Sequence, residues 1–310
     1  MGGMVIMEDK KRMEIPISPE EQEALINTAF LGYKYRKSSN KLYSMDGIVA
    51  LSLIKQYYSG KVKRLDPDEI NKNFVNKYIK NECLLEGVHD PEEVEGLGVM
   101  YEEMHDTPDD EFSVFSLARF HKMLYSKCPY PEFGGKLRNC PATLEGCAID
   151  LYPYDEIFDG LCNLEEPVEV LKVFAQQMKY TQDYSAIREY VKEVMKVKCK
   201  LIQIHPFGDG NGRATRCFVN KLFQMAGIPP VYIKSEEKDE YKMALQEALK
   251  HRGADEVDDD SKYDMITNFY LYKICDSIIE LDINKKIRTE SKQGKYLQLT
   301  KQNEQKKGKR

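Results

Sequence analysis

Two stretches of apolar residues at helical spacing flank a short polar, glycine-bearing run, and this arrangement limits the fold of the chain more than any other feature. Upstream, Ile187, Val191, Val194, Val197, Leu201 and Ile204 recur at steps of three and four, the mark of one buried helix face. Downstream, Ala214, Phe218, Leu222 and Met225 recur likewise, and Gly227-Ile228-Pro229-Pro230 predicts the helix stop. Between them lies His205-Pro206-Phe207-Gly208-Asp209-Gly210-Asn211-Gly212-Arg213, with Arg216 just beyond. The Gly-Asn-Gly stretch is therefore expected where a loop becomes the first turn of a helix.

Free backbone N–H groups and the positive end of the helix dipole attract anions at such a point. Gly210 and Gly212 allow positive φ and close backbone approach. Arg213 and Arg216, three apart, project from neighbouring positions and can fork onto phosphate oxygens. Asp209 offers a hard oxygen to Mg²⁺, which takes one or two carboxylates plus substrate phosphates. His205 is the one group here whose ordinary pKa, roughly 6.5, suits proton abstraction near neutrality.

Other phosphate and metal loops fail at particular positions. A P-loop needs Lys-Ser/Thr after its glycines, and no Lys follows these. An EF-hand starting at Asp209 would need an oxygen ligand where Arg213 stands and a bidentate Glu where Asn220 stands. A zinc site would want more His or Cys close by, and Cys217 falls beyond the loop.

The run His205 to Arg216 resembles the H-x-F-x-D/E-G-N-G-R-x-x-R motif of Fic (Fido) domain proteins. It is similar to the nucleotidyl-transferring branch, since Gly212 stands where the kinase-like Doc relatives carry Lys. Phe133-Gly134-Gly135-Lys136-Leu137-Arg138, followed by Glu145-Gly146 and Tyr152-Pro153, resembles the segment around the family's target-docking hairpin, the flap. Tyr241-Lys242-Met243-Ala244-Leu245 resembles the helix whose Tyr lines the base pocket. The resemblance covers roughly residues 70–280 and is specific in the catalytic loop, 205–216.

It implies an all-α Fic-type domain with a small β-hairpin flap. It also implies AMPylation, the transfer of AMP from ATP to a hydroxyl of a target protein, or of the chain itself, with release of pyrophosphate. His205 would be the base and Asp209 would hold Mg²⁺ on the α- and β-phosphates. Asn211 with the amides of Gly210 and Gly212 would bind the α-phosphate, Arg213 the β-phosphate and Arg216 the γ-phosphate. Phe207 would anchor the loop, Tyr241 would line the base pocket, and a target segment would dock along residues 137–149. The residues themselves supply only phosphates, metal and base. The choice of AMP as the group transferred comes from the family, and a non-catalytic nucleotide-binding module or transfer of another nucleotide remains the alternative.

The family also carries an inhibitory helix of pattern Ser/Thr-x-x-x-Glu-Gly/Asn. Its best match is Glu82-Cys83-Leu84-Leu85-Glu86-Gly87, where Glu82 departs from the pattern by filling the Ser/Thr slot. On a helix, Val75, Ile79, Glu82 and Glu86 fall within about 60° of arc. Two carboxylates thus share a face with apolar residues, an arrangement that an arginine such as Arg216 would relieve. Glu86 is expected to pair with Arg216 and exclude the γ-phosphate. Some relatives use this Glu to remove AMP, so a deAMPylase role is a further alternative.

Composition sets outer bounds. A net charge of −5 argues against a nucleic-acid surface over the main body, and no apolar run approaches the length of a membrane span. Eight cysteines without paired spacing, and an N-terminal stretch without signal-peptide character, point to a reducing cytoplasm. The expected organisation is an N-terminal helical region at 1–66, an inhibitory-helix segment at 67–106, a Fic core at 107–284 and a basic disordered tail at 285–310. That tail holds ten Lys/Arg against two Glu. A homodimer controlling access to Glu86 is compatible with the sequence.

Overall fold

The computed structural model describes residues 67–144, 149–178, 184–249 and 260–281. The expected N-terminal helical region and basic tail lie outside them. All described residues fall in one compact unit, 50–310.

The described residues are mostly helical, and no strand is found among them. In chain order the helices are α1 (Pro67–Glu86), α2 (Pro91–Asp106), α3 (Ser116–Leu124), α4 (Ile157–Cys162), α5 (Glu165–Met178), α6 (Tyr184–Ile204), α7 (Asn211–Met225), α8 (Lys238–Leu249) and α9 (Asp264–Leu281). The two helices flanking the polar loop are α6 and α7, and they form the middle of the fold. Helix α7 packs against α2, α3, α5 and α6, and α6 packs further against α8 and α9. The apolar face of α6 (Ile187, Val191, Val194, Val197, Leu201 and Ile204) is buried, as are Ala214, Phe218, Leu222 and Met225 on α7. Burial of this kind contributes roughly 1.5–3 kcal/mol per large side chain and holds the loop between the two helices in place.

Local chemistry explains where the helices begin and end. Helix α7 opens on Gly210 in the left-handed region (φ 74°) and closes at Gly227, where Ile228 N–H reaches the Phe223 carbonyl at 2.8 Å. Helix α2 carries Pro91 in its first turn with Glu92 and Glu93 beside it, and it ends where the Thr107 hydroxyl donates to the Glu103 carbonyl at 2.6 Å. Gly96 in α2 is obligatory for packing. A Cβ there would lie 1.9 Å from the Leu124 carbonyl oxygen at the end of α3. That close approach seats α2 and α3 together over α7.

The expected flap takes a different form. Residues 137–144 and 149–152 run as irregular chain with no ladder between them, and the turn at 145–148 lies outside the described residues. The two arms are joined through a side chain. Arg138 donates to the carbonyls of Cys140 (2.9 Å) and Tyr152 (2.6 Å), one on each arm.

Candidate active site

His205 is the residue at which α6 becomes loop. Its N–H still donates to the Leu201 carbonyl at 3.0 Å, but its φ is +48°, left-handed for a residue with a Cβ. Arg138 secures this turn. Its Nε donates to the His205 carbonyl at 2.7 Å, its Nη2 contacts the Ile204 carbonyl at 3.3 Å, and its own N–H donates to the Pro206 carbonyl at 2.8 Å. Nδ1 of His205 is buried and makes no well-formed hydrogen bond. Burial, and after it the charge of Arg138, pushes the imidazole pKa down to about 4, against smaller opposing pulls from the Ile202 backbone and Asp209. The ring is therefore neutral at physiological pH and able to accept a proton.

The loop that follows is braced from three sides. Phe207 is buried and stacks on His121 of α3. Nδ1 of His121 accepts from Gly135 N–H (2.8 Å), so Nε2 carries the proton and donates to the Asp209 carbonyl (2.8 Å). Burial keeps this ring neutral as well, its pKa lowered to about 4. The Asn211 amide closes the loop on itself. Its Oδ1 accepts from Phe207 N–H at 2.9 Å, and its Nδ2 donates to the Phe207 carbonyl at 2.7 Å. Both halves of the side chain are thus committed to the loop backbone.

Asp209 is the exposed member of the group, its side chain 79% accessible. Oδ1 accepts from Gly210 N–H (2.6 Å), and Oδ2 accepts from the Tyr125 hydroxyl (3.0 Å) and Arg213 Nη2 (3.2 Å). Partial burial raises its pKa, but Arg213 and these donors outweigh that and hold it below the usual carboxylate range. Such a carboxylate fits a hard divalent cation. Among the described residues no set of three His, Cys, Asp or Glu could cage a metal, so an ion here would need substrate oxygens to complete its shell.

Both arginines face carboxylates. Arg213 pairs through Nη1 with Glu93 and through Nη2 with Asp209. Arg216, almost fully buried, donates Nε to both oxygens of Glu82 (2.9 Å each) and Nη2 to Glu82 Oε2 (2.6 Å) and Glu86 Oε1 (2.5 Å). The contact between the Glu82/Glu86 face of α1 and Arg216, expected from the family resemblance and from two carboxylates in need of a cation, is present. Burial drives the Glu82 carboxyl pKa upward against the pull of Arg216, whereas Arg216 holds Glu86 below its ordinary value. Glu86 also lies over the start of α7. A Cβ on Gly212 would come within 2.9 Å of Glu86 Oε1 and of Arg216 Nη1, so glycine at 212 is what admits both groups.

Tyr241 on α8 is buried and accepts a hydrogen bond from the completely buried Lys198 at 2.7 Å. It stands near enough to Arg216 for the two to interact electrostatically. His121, Tyr125, Glu93 and Lys198 lie outside the motif and join the site only through the fold. His121 carried a signal, since it stands at helical spacing among Leu117, Phe120 and Leu124 on an otherwise apolar face. Glu93, at the start of a helix where acidic residues are ordinary, carried none.

An imidazole, an exposed carboxylate and a helix start without a side-chain cap thus meet in one short loop of a helical fold. Residues 111–223 match the family profile Fic/DOC. A 58-residue stretch is 45% identical to the protein adenylyltransferase Fic of Aedes aegypti, covering 19% of this chain and 12% of that protein. A 94-residue stretch is 30% identical to the protein adenylyltransferase fic-1 of Caenorhabditis briggsae, covering 30% of this chain and 18% of that one. These matches span less than a fifth of the relatives' own length. A solved Fic domain containing signaling protein from Bacteroides thetaiotaomicron superposes with a TM-score of 0.51 at 16% identity, covering 83% of this chain and 96% of that one, a likeness of fold alone. Glu82, Glu86 and Glu93 lie N-terminal to the matched stretch. No described helix is long and apolar enough to cross a membrane.

Proposed function

We propose that the chain is a protein adenylyltransferase that moves AMP from ATP to a hydroxyl side chain of a protein. The observation that carries this reading is the loop's arrangement. His205 ends α6, the exposed Asp209 carboxylate follows, and Gly210 starts α7 in a left-handed turn with no side chain capping the first N–H groups. An α-phosphate against those groups would lie beside the base and the carboxylate together. The target hydroxyl gives its proton to His205 Nε2 as its oxygen bonds to the α-phosphorus. The bond from that phosphorus to the bridging oxygen of the β-phosphate breaks, and pyrophosphate leaves with the electron pair. Asp209 would hold Mg²⁺, which neutralises phosphate charge when bound. Arg213 and Arg216 take the β- and γ-phosphates once Glu93 and Glu86 yield. Asn211, with its amide on Phe207, serves by shaping the loop so that the Gly212 amide faces the phosphate, and the Gly210 amide joins it once Asp209 Oδ1 turns from it to the metal.

In this reading Glu86 is inhibitory, because it occupies Arg216 and overhangs Gly212 where the triphosphate would pass. The target docks along the segment around residues 137–149, whose base Arg138 ties to His205. Cell lysate incubated with the Glu86→Gly form and Mg-ATP tests the proposal. Mass spectrometry is expected to find AMP adducts on hydroxyl side chains, absent with His205→Ala. ATP binding with no adduct from either form would instead favour a non-catalytic nucleotide-binding module.

A further inference from the structure

We infer that Glu82 is a fixed counter-ion that positions Arg216 and sets how strongly the site prefers a triphosphate over a diphosphate. The inference rests on the nucleotide reading above and concerns a residue outside the Fic match.

The two carboxylates on Arg216 are not equivalent. Glu82 is 0% exposed and takes three hydrogen bonds from Nε and Nη2. Glu86 takes one, from Nη2, and its side chain is 35% exposed. Glu86 can turn into water for the loss of one partly solvated contact. Glu82 cannot follow, since a carboxylate left buried without its cation is strongly disfavoured. Around it lie Tyr78 and Cys217, neutral groups whose pKa values burial and Glu82 itself push well up. Arg216 is its only hydrogen-bond partner among the described residues, with Arg213 adding a weaker attraction. Glu82 therefore keeps hold of Arg216 when Glu86 yields.

Two consequences follow from the planar fork of the guanidinium. Its Nε–Nη2 edge is closed by Glu82, so the edge left for a ligand is Nη2–Nη1. Nη1 lies 2.9 Å from where a Cβ on Gly212 would stand, so that edge is held over the start of α7. The charge of Arg216, however, is already balanced. A γ-phosphate meets an oriented pair of donors but no net positive charge, and the added charge of ATP over ADP gains little from it.

The test is nucleotide binding by the full chain, measured by calorimetry with Mg-ATP and with Mg-ADP. In the Glu86→Gly form the two are expected to bind within about tenfold of each other. Adding Glu82→Gln, which keeps the shape and removes the charge, is expected to widen the ATP:ADP affinity ratio by about tenfold or more. A general loosening of the fold would weaken both nucleotides and leave the ratio alone. Both binding with an unchanged ratio overturns this inference while leaving the nucleotide site standing. Binding of neither overturns the nucleotide reading and this inference with it. Should the double variant fail to fold, solvent exchange of the Arg216 Nε–H in the Glu86→Gly form decides. Protection retained on adding Mg-ATP supports the fixed pair, and protection lost contradicts it.

Discussion

His121 lies flat against Phe207, ring centroids 3.8 Å apart and planes 14° apart, and thereby joins α3 to the loop that begins α7. The stack is apolar in area but polar at its rim, because both ring nitrogens hold backbone groups of other segments, Gly135 and Asp209. His121→Phe keeps the stacking and removes both hydrogen bonds. It is expected to lower stability by about 1–3 kcal/mol, the range for stranding buried backbone partners. Misplacement of Asp209 by a fraction of an ångström or more is expected to lower AMP transfer by about ten- to a hundredfold. Denaturant melts and single-turnover transfer assays check the two effects separately.

Arg216→Ala leaves Glu82 buried without a partner and is expected to destabilise the fold by about 3–5 kcal/mol. Arg216→Lys is expected to recover only part of that, since an ammonium cannot serve both oxygens from a planar fork. Urea unfolding midpoints of the three forms check this. A change below about 1 kcal/mol in the alanine form would contradict the buried-pair description.

The acid side of the pH profile follows from His205. Its folded pKa lies near 4, below the ordinary 6.5, so the ring loses its ability to accept a proton only at the lower value. The kcat/KM for transfer is expected to show no acid limb at 6.5 and to stay level between about pH 5 and 8. The same depression carries a stability consequence. Between 6.5 and about 4 the unfolded chain binds a proton that the folded chain refuses, so His205 makes stability fall as pH falls through that window. Rate profiles and unfolding midpoints across the window check both, and a limb at 6.5 would contradict the first.

Asp209→Asn removes the charge proposed to meet Mg²⁺ while leaving an exposed side chain of the same shape. Stability is expected to fall modestly, by about 1 kcal/mol, since the carboxylate is exposed but its charge is favoured by Arg213 and by its hydrogen bonds. Transfer is expected to fall by about a hundredfold or more, as the loss of several kcal/mol of charge stabilisation implies. The Mg²⁺ concentration needed for half-maximal transfer is expected to rise. Magnesium titrations of both forms check this.

Much of this site could be read before any coordinates, and for local reasons. The apolar repeats on either side of residues 205–213 placed the polar run between two helices, and Gly227 with the prolines after it marked the end of α7. The need of Glu82 and Glu86 for a cation was also legible, because two carboxylates share an apolar helix face, and the family resemblance pointed to Arg216 as that cation. What stayed hidden depends on distant parts of the chain. Glu93 reaches Arg213 from α2, whose Gly96 and Gly98 weaken its helical pattern, although the first is required by the Leu124 carbonyl. Arg138 shows its role only when the His205 turn and the arms at Cys140 and Tyr152 come together around it. Asn211 was expected on a phosphate from its place in the motif, and the fold instead occupies both ends of its amide with Phe207.

The most direct test of the central claim is transfer of label from ATP to protein in the presence of Mg²⁺, comparing label at the α-phosphate with label at the γ-phosphate. The Glu86→Gly form is expected to retain the α label on protein, to retain none of the γ label, and to lose all transfer when His205→Ala is added. Retention of the γ label, or α labelling that survives the loss of His205, would contradict it.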